Sequence, residues 1–184
     1  MASVVIISGS PSASARAGIL VAHAEVELRR AGHRVHTIAV RDLPTVALLS
    51  EDVDHPEIRA ALDLVACADG LVVASPVYRA AYSGLVKSLL DLLPSGVLES
   101  IAVLPLANGG TQGHIVAIDF ALLPLLRALG ADDVLPGHFV LDRMIAAPEE
   151  GGFVRPLAAV ALNETLSEFA RLMAATRLPV ALTG

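Results

Sequence analysis

Short unbroken apolar runs alternate along the chain with longer stretches of helical spacing. Ser3 to Ser8 is a β-branched run and the first predicted strand. Apolar residues then recur every three or four positions through Ala17, Leu20, Val21, Ala24, Leu28 and Ala31. That spacing predicts a helix, and Gly32 is placed to stop it. Arg34 to Val40 is the second predicted strand, with Val35 and Ile38 facing inward. Residues 41–55 read as a long loop, and Pro56 opens a helix to about Ala68 with Ile58, Leu62 and Val65 on one face. Leu71 to Ala74 are apolar at every position, as a strand buried on both faces of a parallel sheet requires. Pro76 has no N–H to donate, so this strand is expected to stop at Ser75-Pro76 and a loop to follow.

Ser83 is the expected N-cap of a helix over 83–93. Leu85, Val86, Leu89, Leu90 and Leu93 make that helix so apolar that a subunit interface is expected to cover part of it. Ile101 to Ala107 form the fourth predicted strand, and Asn108 to Thr111 its terminal loop. The helix running from there to about Leu129 contains Pro124, which removes a hydrogen bond to the carbonyl of Phe120. A kink or π-bulge is therefore expected near Ile118 to Phe120, retained by Pro124 and by burial of the Phe120 ring. Phe139 to Leu141 predict a fifth strand. A Gly/Pro-rich loop fills 142–155, and Leu162, Leu166, Phe169, Leu172 and Met173 mark a last helix. Repetition of strand and helix in this order predicts an α/β protein with a parallel sheet, and nothing divides residues 1–184 into more than one domain.

Composition narrows the class. Hydrophobic residues make up 54% of the 184 but aromatics only 3%, so Ala, Val and Leu do the packing. No apolar stretch reaches the roughly 18 residues a membrane-spanning helix needs. The opening MASVVIISGS has no basic segment of the kind that precedes a signal peptide core. A formal charge of −6 argues against a nucleic-acid partner. Cys67, the single cysteine, lies among Val65, Ala66 and Ala68 and is expected to be a buried structural thiol. These features suit a cytoplasmic protein with neither membrane nor nucleic-acid contact.

Candidate chemistry gathers where strands end. After the first strand comes Gly9-Ser10-Pro11-Ser12-Ala13-Ser14-Ala15-Arg16, a small loop rich in hydroxyls that runs into a helix N-terminus. Free backbone N–H groups, the positive end of the helix dipole, Ser hydroxyls and Arg16 together suit an anion. The loop lacks the Gly-Lys-Ser/Thr ending of a P-loop and the three glycines of the dinucleotide fingerprint. One terminal phosphate monoester fits it better than a pyrophosphate; an ordinary βα turn with a Ser cap is the plain alternative. Pro76-Val77-Tyr78-Arg79 occupies the carboxyl end of the third strand, the edge where open α/β sheets bind ligands, and Tyr78 suits a flat aromatic group; a connector whose Tyr caps the core fits the position equally well. Gly109 and Gly110, ahead of Thr111, let backbone approach such a ligand closely, with a simple turn as the plain alternative. The six His show no metal-ligating spacing, and G-x-S-x-G is absent. Asp119 and Asp142 read as solvated or capping carboxylates, so no side chain stands out as a catalytic acid or base.

The run GSPS followed by Ser14 and Arg16, then SPVYRAAYSGLVKSLLDLLP, then LPLANGGTQGHIVAIDFALLPLL, resembles the NADPH-dependent FMN reductases of two-component alkanesulfonate monooxygenase systems. The resemblance extends over most of residues 4–140. It implies a flavodoxin-like three-layer sandwich whose five-stranded parallel sheet has the order 2-1-3-4-5. It also implies FMN and NADPH (or NADH) as ligands, reduction of FMN to FMNH2 by hydride transfer, and a flavin-dependent monooxygenase as recipient. A homotetramer or dimer, built partly on the helix after the PVY loop, is implied as well. By the same resemblance Ser10, Ser12, Ser14 and Arg16 hold the FMN phosphate. Pro76, Val77, Tyr78 and Arg79 line the isoalloxazine and ribityl, with Gly109, Gly110 and Thr111 closing the other side. The chain departs from the family pattern with Arg79 where Lys is found, Phe120 where a π-helix Tyr is found, and a later basic residue in the first loop. An FMN-bound quinone or azo-dye reductase and a non-enzymatic flavodoxin-type electron carrier are the alternatives within this fold. A carrier usually has a more strongly acidic surface than −6 over 184 residues provides.

Overall fold

Five apolar runs become parallel strands. β1 (Ser3–Ser8), β2 (Arg34–Ala39), β3 (Gly70–Tyr78), β5 (Ala102–Gly109) and β6 (His138–Leu141) lie in the order β2-β1-β3-β5-β6. A two-residue strand, β4 (Ala81–Tyr82), hangs antiparallel on the end of β3. Counting the parallel strands alone, this is the expected order 2-1-3-4-5 and a flavodoxin-like sheet. The structure is a computed structural model that describes residues 1–176; residues 177–184 of the expected domain lie outside them.

Side-chain alternation sends each strand's apolar residues to both faces. Val5 and Ile7 of β1, Leu71 and Val73 of β3 and Val103 of β5 pack on one side. There they meet α2 (Thr45–Leu49), α3 (Pro56–Ala66), α4 (Gly84–Leu90) and α5 (Leu123–Ala128). Val4, Ile6, Val72, Ala74, Leu104 and Leu106 pack on the other side against α1 (Arg16–Arg30) and α6 (Pro156–Thr176). Burial of each such aliphatic side chain contributes about 1.5–3 kcal/mol, which fixes the sheet between its two helical layers. Among the described residues no helix is long and apolar enough to cross a membrane.

Two local expectations hold. Ser83 caps α4, its Oγ accepting from the Val86 N–H at 3.4 Å. A π-helical turn covers Ile118–Leu122, closed by the Leu123 N–H donating to the carbonyl of Ile118, with Pro124 directly after it.

Several others are corrected. β3 does not end at Pro76 but continues to Tyr78. The Ala74 carbonyl accepts from Gly9 N–H on the β1 side, so Pro76, two residues on, also faces that side. β1 has already finished its pairing at Ser8, and the missing proline N–H therefore removes no ladder bond. Residues 41–55 are not one long loop. They hold part of a 3-10 turn, Val40–Asp42, and the short α2, whose Ala47 and Leu48 are buried. Most of the apolar surface of α4 is covered within the chain, since Val86, Leu89 and Leu90 are fully buried and the half-buried Leu85 packs against the same core; its apolarity alone therefore does not require an interface. Phe120 is 80% exposed rather than buried, so the π-turn is held by Pro124 and by Ile118 and Leu122 beneath it. Cys67 is exposed, because it follows α3 in a phase that turns Val65 and Ala68 inward instead.

Candidate active site at the carboxyl edge of the sheet

β1, β3 and β5 are adjacent, and each ends at one of the three loops singled out by sequence. The first loop folds back over α1 so tightly that a β-carbon at Gly18 would collide with the carbonyl of Ala13. Ser10 is fully buried, and its hydroxyl donates to the Ser12 carbonyl at 2.6 Å; it braces the loop. Ser12 and Ser14 are exposed, with their hydroxyl oxygens 2.9 Å apart. The first turn of α1 has neither a side-chain cap nor an acidic residue, leaving its N–H groups and positive dipole end to an incoming anion. Arg16 starts that turn and donates from Nε to the carbonyl of Ile145 at 3.3 Å, tying the loop to the segment after β6.

The second loop is a hairpin. Val77 pairs with Tyr82 and Tyr78 with Ala81, leaving Arg79 and Ala80 as a two-residue turn. Both have positive φ, 50° and 63°, the conformation of a type I′ turn that ordinarily takes Asn-Gly. Non-glycine residues held there store strain of the kind that concentrates at ligand sites. Pro76 and Val77 are buried beneath the turn, while Tyr78 is 53% exposed at its base. A buried serine pair anchors it: Ser83 N–H donates to Ser75 Oγ at 2.8 Å, and Ser83 Oγ donates to the Gly9 carbonyl at 2.9 Å. The first two loops are thereby joined.

At the third loop Asn108 and Gly109 are still in β5, and Gly110 and Thr111 emerge into solvent. The His114 ring folds over Gly109 so closely that a β-carbon there would lie 2.6 Å from Nδ1. Asn108 Nδ2 donates to Asp142 Oδ1 at 2.7 Å, which fixes the amide orientation. Among the described residues its Oδ1 is buried without a partner, as is Nδ1 of His114. Asp142, read from sequence as solvated or capping, is in fact the anchor of that amide. Arg41 was not singled out by sequence at all: it sits beyond β2, and its Nη1 reaches the Ser10 carbonyl at 3.5 Å. Among the described residues no group of three His, Cys, Asp or Glu is placed to hold a metal ion.

A parallel sheet in this order, with a hydroxyl loop, an aromatic hairpin and a glycine pair along its carboxyl edge, defines a flavodoxin-like protein. Residues 2–145 match the family described as NADPH-dependent FMN reductase, and the chain belongs to that family. It is 41% identical over 180 residues to an FMN reductase (NADPH) of Pseudomonas putida, covering 97% of this chain and 91% of that protein. To the FMN reductase (NADPH) of Escherichia coli it is 40% identical over 142 residues, covering 77% of this chain and 74% of that one. The apo form of an NADH:FMN oxidoreductase shares the fold with a TM-score of 0.83 at 34% identity, covering 97% of this chain and 92% of its own. The protein is an oxidoreductase that reduces FMN with NAD(P)H. Its residues fit FMN: an uncapped helix start and exposed hydroxyls suit a phosphate, and Asn108, whose Oδ1 is a buried acceptor without a partner among the described residues, stands opposite Pro76 of the second loop.

Proposed function

We propose that this chain, as one domain in the cytoplasm, takes FMN as a diffusible substrate and passes FMNH2 to a separate flavin-dependent monooxygenase. The observation that carries this reading is the openness of the rim. Ser12, Ser14, Arg16, Tyr78, Arg79, Gly110 and Thr111 are all exposed, so the ligand is gripped along an edge and not enclosed. Ser12, Ser14, the first-turn N–H groups of α1 and Arg16 hold the phosphate, and Ser10 shapes their loop. Tyr78 and Arg79, over Pro76 and Val77, face the isoalloxazine and ribityl from one side; Gly109, Gly110 and Thr111 approach from the other. Bound FMN supplies the hydride acceptor, and the protein contributes orientation and partial exclusion of water. A dimer or tetramer would use the exposed apolar residues Ile115, Val116 and Phe120 of the segment after β5.

The test is steady-state oxidation of NADPH and NADH with FMN, FAD, riboflavin and a quinone, together with gel filtration of the protein loaded with FMN. Rapid FMN turnover and loss of flavin on the column are expected. Stoichiometric FMN retained through the column would overturn the supply role and favour a bound-flavin quinone or azo reductase. Failure to turn over FMN would remove the site assignment.

A further inference from the structure

We propose that Arg41 determines flavin specificity as a second cation on the 5′-phosphate of FMN; this rests on FMN binding at the edge described above. Arg41 lies in the 3-10 turn Val40–Asp42, directly beyond β2, the strand next to β1. Val40 is buried in the core, which fixes the backbone from which Arg41 projects. Among the described residues the guanidinium makes two polar contacts, Nη1 at 3.5 Å from the Ser10 carbonyl and Nη2 at 3.4 Å from Asp42 Oδ2. Both are longer than an ordinary N–H···O bond, and the guanidinium has five N–H donors. The side chain remains 25% exposed. A cation with donors to spare thus stands against the residue that opens the hydroxyl loop.

Charge balance gives it a task. A phosphate monoester carries about −1.5 to −2 at neutral pH. The N-terminus of α1 offers about +0.5, and Arg16 adds one charge. The sum falls short of a dianion by up to about half a charge, and a chain with a net charge of −6 supplies no general positive field to make up the difference. NADPH carries a phosphate monoester too, on its 2′ position. Arg41 is assigned to FMN because its contact is with the loop at the start of α1.

The experiment measures dissociation constants for FMN and riboflavin by flavin fluorescence on the full chain, with Arg41→Gln and Arg41→Lys. Gln keeps an N–H for the Ser10 carbonyl but no charge; Lys keeps the charge. Arg41→Gln should weaken FMN about tenfold or more, the scale of one charge-assisted hydrogen bond, and riboflavin less than about twofold. Arg41→Lys should recover most of the loss, and FMN binding by Arg41→Gln should depend less steeply on salt. Equal losses for both flavins would make Arg41 a brace for the loop and overturn the proposal. So would unchanged FMN affinity, including the case where the KM for NADPH rises relative to NADH. Wild-type protein that binds riboflavin as tightly as FMN would remove the phosphate site itself, and the proposal with it.

Discussion

Replacing Ala80 by glycine should stabilise the chain, although it adds backbone freedom to the unfolded state. Ala80 has φ of 63° and is exposed, so the substitution removes strain and no burial. The left-handed conformation costs an L-residue about 1–2 kcal/mol, and glycine loses about 0.5–1 kcal/mol more backbone entropy on folding. The net gain is about 0.5–1 kcal/mol. In urea the midpoint should rise with an unchanged slope. The thermal midpoint should rise by about 1–4 °C, given about 2–4 °C per kcal/mol for a chain of this size. Arg79→Ala is the control: it leaves φ at 50° and removes only an exposed side chain, so it should stay within about 0.5 kcal/mol of wild type. A lower midpoint for Ala80→Gly would refute the strain argument. If the strained turn presents Tyr78 to the ligand, the same variant should bind FMN a few-fold more weakly as it becomes more stable.

Ser83→Ala removes a helix cap and the donor to the Gly9 carbonyl in a buried site, so a loss of about 1–3 kcal/mol in urea unfolding is expected; no loss would mean the serine pair does not anchor the hairpin. Burial lowers the pKa of His138 below the ordinary imidazole value of 6.5, so the unfolded chain takes up a proton that the folded chain refuses. Stability should therefore fall as pH drops below about 6.5, and His138→Gln should flatten that slope in melts between about pH 7 and 5; an unchanged slope would count against it. Phe120→Ser should leave unfolding within about 0.5 kcal/mol of wild type, because the ring is exposed. Light scattering should show a smaller particle if the ring lies in an interface, and an unchanged mass would take Phe120 out of it.

What could be read from sequence was whatever depends on a few neighbouring residues. The Ser83 cap is a local hydrogen bond, and the π-turn follows from one proline four residues after Phe120. The all-apolar run at Leu71 to Ala74 needs a sheet covered on both faces, and the parallel sheet follows from it. Misreadings fell where a distant element decides. Pro76 is tolerated inside β3 because β1 stops pairing at Ser8, a fact of register between strands far apart in sequence. The hairpin at Arg79-Ala80 carries none of the Asn-Gly chemistry that marks such turns, since tertiary contacts hold it. A five-residue helix at Thr45–Leu49 is too short for periodicity to show.

The same distinction separates the two ends of the candidate site. That the loops after β1, β3 and β5 share one edge was legible because parallel strands joined by βα units all end on the same side of the sheet. Arg41 is different in kind. It lies in the turn directly after the strand that follows α1, and it reaches the Ser10 carbonyl only because β2 lies parallel and in register beside β1, with Ser8 opposite Ala39. That pairing brings residue 41 to the loop two residues past Ser8. A cation that reaches the loop this way has no sequence signature near the hydroxyls, and in a sheet of order 2-1-3 the turn after β2 is the place to look for one.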